Sequence, residues 1–358
     1  VDIGPVSAGF SGSGAIAALA AQATDAASLS VSLASTATSQ NINGTAELDF
    51  QSTGAGTTGE ADVSVGSAFV SLAGKVYEKA VALVQQVVDF GIVHVGELVA
   101  ALGVSVTNDA PGAALNDTLT GSIGGASGPF TTAGNLGTGL LAGVTDTSSL
   151  GVELDTSAAG IFAGTAAASL FSHNPDMADL ALGSFQVDLM AQVNNYANAD
   201  LAKTGGGGSF GGGGLEYFLD FGNVLLNSGP LVASLEVRNA VSGPADLLDG
   251  LFNILGTQDF AYNAFNDFFN LAGGAALGGL SVSFDPTSLG VFSDDIVLVS
   301  SGHNGSGYRA GLDEITLRVR ANVVSDAGGT VPEPGSLALV AIALAAMRLA
   351  RRRAAALH

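Results

Sequence analysis

The 358-residue chain contains no cysteine, no tryptophan and only three methionines. Without cysteine there is no disulfide, no zinc–thiolate centre and no thiol nucleophile. That absence leaves the redox compartment open, because a secreted domain of this size folds without disulfides. Basic residues are scarce. Eleven Lys and Arg stand against 32 Asp and Glu, a formal charge of −21. Nucleic acid is excluded as a partner, since phosphate contacts need Lys and Arg. Charged residues of both signs make up only 12% of the chain, and 51 glycines fill part of the gap. A hydrophobic content of 47% supports real cores and argues against global disorder. Length allows about two or three domains. The composition suits an extracellular β protein with many turns better than a cytosolic enzyme.

The few basic residues are unevenly placed. Residues 1–331 hold 7 basic and 31 acidic side chains, a balance of −24; residues 332–358 hold 4 and 1, a balance of +3. The tail opens on Pro332, Glu333 and Pro334. Proline is excluded from a helix interior, so the pair marks a helix start. Residues 337–347 carry no polar side chain. With its flanks the run reaches about seventeen residues, the low end of a membrane span. Arg348, Arg351, Arg352 and Arg353 close it. They stay cytoplasmic by the positive-inside rule, which leaves the body across the membrane. The competing reading is a buried C-terminal helix, which an arginine cluster after an unbroken apolar run disfavours.

Pro332-Glu333-Pro334, a short apolar helix and a terminal arginine cluster together resemble the PEP-CTERM sorting signal. The resemblance implies an exosortase-type processing enzyme as partner. Its sorting-signal residues here are Pro332, Glu333, Pro334, Arg351, Arg352 and Arg353. It implies export, an inner-membrane anchor before processing, and the cell surface or matrix afterwards. The tail is then a processing segment and stands outside fold reasoning. A protein with this tail needs an export leader, and Val1 begins none, so Val1 is expected to be a fragment edge.

The body repeats itself. Leu150, Val152, Leu154 and Asp155 match Leu280, Val282, Phe284 and Asp285, and His173-Asn174 matches His303-Asn304. Phe185, Val187, Leu189, Ala191 and Val193 match Ile315, Leu317, Val319, Ala321 and Val323. Upstream, Asp89-Phe90-Gly91 matches Asp220-Phe221-Gly222, and Val106 and Asn108 match Val237 and Asn239. Near the N-terminus, Asp25 to Leu33 matches Asp146 to Leu154, and Gly44-Thr45-Ala46 matches Gly164-Thr165-Ala166. Only the second half of that copy is expected, ending near Val76. Asp2-Ile3-Gly4 reads as a degraded form of the opening Asp-Phe-Gly.

Apolar and polar residues alternate over 185–193 and 315–323, the period of a half-buried strand in an antiparallel sheet. Asn-Gly, Asn-Asp and Asn-Pro pairs punctuate the chain at sandwich spacing. The expected fold is therefore all-β, in tandem immunoglobulin-like β-sandwich domains, plus the short C-terminal transmembrane helix. The expected boundaries are a partial repeat at 1–83, a sandwich at 84–204, a Gly-rich linker at 205–214, a sandwich at 215–326, and a linker with sorting tail at 327–358. Residues 75–88 could form a short helix, but their place in the repeat favours a strand end and connector. The repeat resembles the choice-of-anchor D domain: an Asp-Phe-Gly-x-Val strand (Asp89 to Val93) followed by Gly96, a Val-x-Asn strand end (Val106 to Asn108), a Leu-Ala-Gly step (Leu141 to Gly143) and a Leu-x-Val-x-Leu strand (Leu150 to Leu154). The resemblance implies surface or secreted sandwich domains and supplies no catalytic residue.

Apparent catalytic motifs fail on context. Gly207, Ser209 and Gly211 fit the serine-hydrolase elbow, and Gly206, Gly208 and Gly211 fit G-x-G-x-x-G. Both lie in one polyglycine tract without the flanking strand and helix that either chemistry needs. Asp89-Phe90-Gly91 copies a kinase triplet with no catalytic-loop partner and recurs in the second copy, so it is structural. His173 and His303 occupy the same loop of two copies. They read as turn residues capping backbone groups, with Asp176 the nearby carboxylate. His94 reads as an exposed strand position. Asp285, Asp294, Asp295 and Asp313 supply hard oxygen ligands, which keeps calcium open as a cofactor although no spaced calcium loop is present. Ten of the 18 phenylalanines lie between Phe210 and Phe292. They read as a local core or short helix, or alternatively as an adhesive patch. No catalytic, cofactor or metal residues are assigned. The expected protein is a non-enzymatic surface or matrix protein, and the alternative is a polysaccharide- or calcium-binding adhesion module. Extracellular polysaccharide and neighbouring surface proteins are the matching partners.

Overall fold

A computed structural model describes residues 1–34 and 38–325. These residues form 26 strands and no helix. They divide into two compact units, Val1–Asn194 and a second beginning at Asn195. The alternation seen in sequence is realised in the strand Leu180–Asn194, where Val187, Leu189, Ala191 and Val193 are buried and Gln186, Asp188 and Met190 are exposed. In the second unit, Ile315–Val324 buries Ile315, Leu317, Val319, Ala321 and Val323. Each row packs into a core completed from a second sheet. Val104, Val106, Leu150 and Val152 complete the first, and Leu235, Val237, Leu280 and Val282 the second. The result is a two-layer β-sandwich in each unit.

Strand register establishes the repeat. The hairpin of Gly160–His173 and Leu180–Asn194 pairs Gly160 with Val193, Phe162 with Ala191 and Ala166 with Val187. The hairpin of Gly290–His303 and Ile315–Val324 pairs Gly290 with Val323, Phe292 with Ala321 and Ile296 with Leu317. The hairpin of Gln40–Ser52 and Val63–Val76 pairs Gln40 with Val76, Ile42 with Gly74 and Ala46 with Val70. All three use one register.

The N-terminal copy is larger than its sequence suggests. Asp2–Val6 pairs with Gln40–Ser52, setting Ile3 opposite Leu48. In the next copy Thr118–Gly124 pairs with Gly160–His173, setting Ile123 opposite Ala168. Asp2-Ile3-Gly4 therefore corresponds to Ser122-Ile123-Gly124, and not to the opening Asp-Phe-Gly. Phe10–Ser13 pairs with Ser30–Leu33 as Phe130–Gly134 pairs with Leu150–Leu154. The matching strands were hard to see because they are short and rich in Ser and Gly.

The sheets are mixed, where alternation alone predicted antiparallel ones. Val87–His94 runs parallel to Leu180–Asn194, and Glu216–Leu225 runs parallel to Ile315–Val324. The two strands of each parallel pair are separated by most of the chain of a copy, so no tight turn forces them antiparallel. The Asp-Phe-Gly triplets mark a bulge in these pairs. The Asp89 carboxylate accepts the Gly91 N–H at 2.8 Å, Gly91 has φ +67°, and the ladder slips between Met190 and Gln192. Asp220 and Gly222 repeat this at 2.8 Å and φ +73°.

Residues 205–214 are not a linker. Ala199–Gly206 pairs with Leu231–Asn239, and Ser209–Gly213 pairs with Glu216–Leu225. The tract carries the chain from one sheet to the other inside the second sandwich, which therefore starts near Asn195 and not at 215. Glycine is required by close approach. A Cβ at Gly206 would lie 2.1 Å from the Val232 carbonyl oxygen, and one at Gly212 2.3 Å from that of Glu216. Lys203 Nζ holds the turn, donating to the Gly206 and Gly208 carbonyls at 2.9 Å each. Residues 75–88 form strand ends and a connector, including Ala82–Val84.

Candidate functional site

The paired His-Asn loops lie where two equivalent strands end, at His173 and His303. The asparagines do the capping expected of them. Asn174 Oδ1 accepts the N–H groups of Asp176 and Met177 at 3.1 and 3.0 Å, and Asn304 Oδ1 accepts that of Ser306 at 2.9 Å. Their amide groups reach inward to equivalent carboxylates, Asn174 to Asp117 at 2.9 Å and Asn304 to Asp246 at 2.8 Å. Asp117 is tied further by the Ser172 hydroxyl at 2.7 Å. These buried carboxylates weld the loop to the sandwich, and loop spacing alone gave no sign of them.

The histidines cap no backbone group and instead meet carboxylates, differently in each copy. His173 Nδ1 lies 2.6 Å from Asp179 Oδ1. Asp176, the nearby carboxylate noted in sequence, binds Lys75 at 2.7 Å and the Tyr77 hydroxyl at 2.5 Å. Lys75 and then Tyr77 hold the Asp176 carboxyl below the usual carboxylate range. His303 Nε2 lies 3.1 Å from Asp249 Oδ1, and Arg309 Nη1 donates to Asp249 Oδ2 at 2.9 Å. Burial works to raise the Asp249 pKa. The Asn270 N–H, Arg309 and His303 outweigh it and hold the carboxyl below its ordinary value. His94 is buried at 4% exposure, not exposed as its strand position suggested. It ends Val87–His94 beneath Glu97, whose Oε2 accepts its backbone N–H at 2.8 Å.

The candidate calcium ligands are dispersed. Asp294 points into the second core, accepting the Tyr262 hydroxyl at 2.8 Å and the Gln258 N–H at 3.1 Å. Its strand neighbour Asp295 faces the other way and binds Arg318 at 2.9 Å. Asp313 borders an open groove with Asp200 and Tyr217. Among the described residues no three His, Asp or Glu side chains gather as a metal site.

The phenylalanine-rich stretch forms strands, Ala261–Asn263 and Phe268–Leu271, and no helix. Phe260 packs on Phe284 at 4.9 Å between ring centres, and Phe252 meets Phe265 edge-on at 5.0 Å. Phe268 is buried, whereas its neighbour Phe269 turns outward with 69% exposure. There it borders a cleft of about 350 Å³ with Leu251, Val299, Asp249, Asp267 and Arg309. The cleft's other walls come from strands paired across the sheet, so the phenylalanine-rich stretch alone gave no sign of it. An aromatic face beside carboxylates and a guanidinium can hold a ligand that is apolar on one side and rich in hydroxyls on the other.

Several solved structures align with all or part of the chain at low identity and low TM-score. Mouse protocadherin-24 EC1-3 is 11% identical, with a TM-score of 0.36, over 90% of this chain and 94% of that one. CfaE, the adhesive subunit of CFA/I fimbria of enterotoxigenic Escherichia coli, is 9% identical, with a TM-score of 0.23, over 80% of each chain. AggA, the major subunit of aggregative adherence fimbriae type I of Escherichia coli, is 14% identical, with a TM-score of 0.22, over 37% of this chain and 98% of that one. No curated protein sequence matches the chain. Pro332, Glu333, Pro334, Arg351, Arg352 and Arg353 and the expected transmembrane helix lie outside the described residues. In sequence, residues 330–354 match the PEP-CTERM protein-sorting motif, the signal of an exported protein that is a substrate for exosortase-type processing.

Proposed function

We propose that this chain is a non-enzymatic surface or matrix protein, built of tandem choice-of-anchor D type β-sandwiches and released from the inner membrane by exosortase-type cleavage of its tail. The observation that carries the reading is the sorting motif at 330–354. A body with a balance of −24 ahead of a +3 tail supports it, because the arginines hold the cytoplasmic side while the acidic body is exported. The repeated sandwiches support it too, since tandem domains are a common way to space a surface protein away from the membrane. Mass spectrometry of the mature protein tests the reading. The expected C-terminus precedes the apolar run at 337–347. Surface protein still ending in Arg351, Arg352 and Arg353 would overturn it.

The cleft beside Phe269 favours a second reading, polysaccharide binding by the second sandwich. Phe269 offers a stacking face, while Asp267 and Arg309 offer an acceptor and donors for hydroxyl groups. A glycan array followed by calorimetry on the best binder tests this. Phe269→Ala is expected to weaken binding about tenfold. Binding unchanged by that substitution places the ligand elsewhere.

A further inference from the structure

In the second sandwich the larger sheet runs, strand by strand, through Glu216–Leu225, Ile315–Val324, Gly290–His303, Leu247–Gly256 and Phe268–Leu271. Alternate residues of these strands face away from the core. Two phenylalanines lie on that outer face. Phe269, on the last of these strands, is the exposed ring of the cleft already described. Phe218, on the first, is 45% exposed and borders a second cleft of about 240 Å³ with Glu216, Thr316, Arg318 and Arg320. Its ring lies over Gly211, its partner in the glycine hairpin, where a Cβ would come within 2.5 Å of the ring. Glycine there is what lets the ring rest against the neighbouring strand. Between the two rings the same face carries Leu251, Val297 and Thr316, with Val297 directly opposite Thr316.

These outer residues do not repeat. Register sets Phe218 at Val87 of the preceding copy, Arg318 at Asp188, Leu251 at Ser122 and Val299 at Ser169. A structural role would recur with the fold, as the core rows and the Asp-Phe-Gly bulges do. Apolar groups left on the surface of one copy alone point to a ligand. The charges on the face say which kind. Arg309 is held by Asp249 through Nη1, and Arg318 by Asp295 through Nε and Nη2. Each guanidinium is thereby fixed in place and keeps further N–H donors for a ligand. Glu216 and Asp267 offset Arg320, so the face holds no excess of cations for an acidic polymer. The ion pairs also interrupt the apolar strip, unlike the charge-depleted centre of a protein interface. A neutral ligand with apolar faces and a rim of hydroxyls matches both features.

Resting on the polysaccharide reading of the Phe269 cleft, we propose that this outer face is a track for one extended neutral polysaccharide, with one sugar ring stacked on Phe269 and another on Phe218. The two phenylalanines lie four strands apart across the sheet and about six residues apart along it, roughly 25–30 Å by strand spacing and rise. A single sugar cannot reach both, and an extended chain can. Sugars between the two stations set their C–H faces on Leu251 and Val297. Their hydroxyls meet Thr316 and the remaining donors of Arg318.

Native electrophoresis of the full chain tests this, through gels that hold a soluble glucan, a galactan, a mannan or, as the acidic comparison, alginate. At least one neutral gel is expected to retard the chain, equally in low and high salt, because no net charge drives the contact. Phe218→Ala and Phe269→Ala are each expected to weaken that binding about tenfold. Phe218→Tyr and Phe269→Tyr keep a stacking ring and are expected to retain it. Val87→Ala, at the matching position of the preceding copy, is expected to change nothing, and an unaltered melting temperature checks that each variant folds. Fragments of the glycan too short to span both rings are expected to compete about tenfold less well than long ones. Binding that survives Phe218→Ala but not Phe269→Ala would overturn the track and leave the single cleft standing. Binding that neither substitution changes, or no retardation by any neutral gel, would overturn both. Retardation by alginate alone, fading with salt, would overturn the inference by assigning the face to an acidic polymer.

Discussion

Asn108 and Asn239 are fully buried, and each side chain ties together stretches far apart in sequence. Asn108 Nδ2 donates to the Asp117 and Leu140 carbonyls at 3.3 and 3.0 Å, and Oδ1 accepts the Val81 N–H at 3.1 Å. Asn239 repeats the set with Asp246, Leu271 and Asn198 at 2.9, 3.1 and 3.0 Å. Replacing either by alanine strands several buried backbone groups, so Asn239→Ala is expected to cost about 2–4 kcal/mol in urea unfolding. Repetition made these asparagines visible in sequence as strand ends. Their work was not legible, because the carbonyls they hold arrive through topology. Tyr217 shows the same limit. Burial, and then its hydrogen bond to Asp200 at 2.5 Å, push the phenol up to about 12. A folded-state value above the unfolded one, about 10, stabilises the fold below pH 10. That contribution is lost as pH rises from about 10 to 12. Tyr217→Phe is expected to flatten this alkaline loss in melting temperature, and a wild-type profile no steeper than the variant's contradicts the assignment.

Long alternating strands could be read from their own side chains, because a period of two records which face meets the core. Short or glycine-rich elements could not. The Asp-Phe-Gly triplet was legible as a recurring structural element, but its nature as a bulge emerges only beside the parallel strand it interrupts. A Cβ at Gly91 meets no atom within 4 Å, so Gly91→Ala carries only the conformational cost of φ +67°. That cost is about 1–2 kcal/mol. Asp89→Ala removes the carboxylate that holds the bulge and is expected to cost about 1 kcal/mol, again by urea unfolding. The polyglycine tract looked like a linker because composition does not distinguish freedom from crowding. At Gly206 a side chain collides with the Val232 carbonyl, so Gly206→Val is expected to lower the melting temperature of the second sandwich strongly. A freely flexible tract would tolerate the change, and an unaltered melt would return it to that status.

At the scale of the molecule, the number of copies was legible and their edges were not. Matching strands fixed the repeat, whereas the boundary at Asn195 fell inside what composition assigned to the preceding domain. It became visible through paired landmarks. The Glu78 N–H donates to the Leu115 carbonyl at 2.9 Å, and the Asn195 N–H to that of Pro244 at 2.9 Å, each opening a complete copy. The segment carrying these landmarks is then extended in the second copy by the glycine hairpin, which shifted the alignment. Each complete copy also has its own core. Leu119, Leu150 and Leu189 belong to the first, and Leu235, Leu280 and Leu317 to the second. Separate cores predict separate unfolding events. Calorimetry of the chain is expected to resolve more than one transition, with Leu280→Ala lowering one and Leu150→Ala another. Each truncation empties a site of 0–1% exposure and is expected to cost about 2–5 kcal/mol. Residues 1–76 of this chain, where Ile42 and Ala46 are the buried apolar side chains among the described residues, are expected to melt first. One transition moved equally by both substitutions would mean that the copies fold as a single cooperative body despite their separate cores.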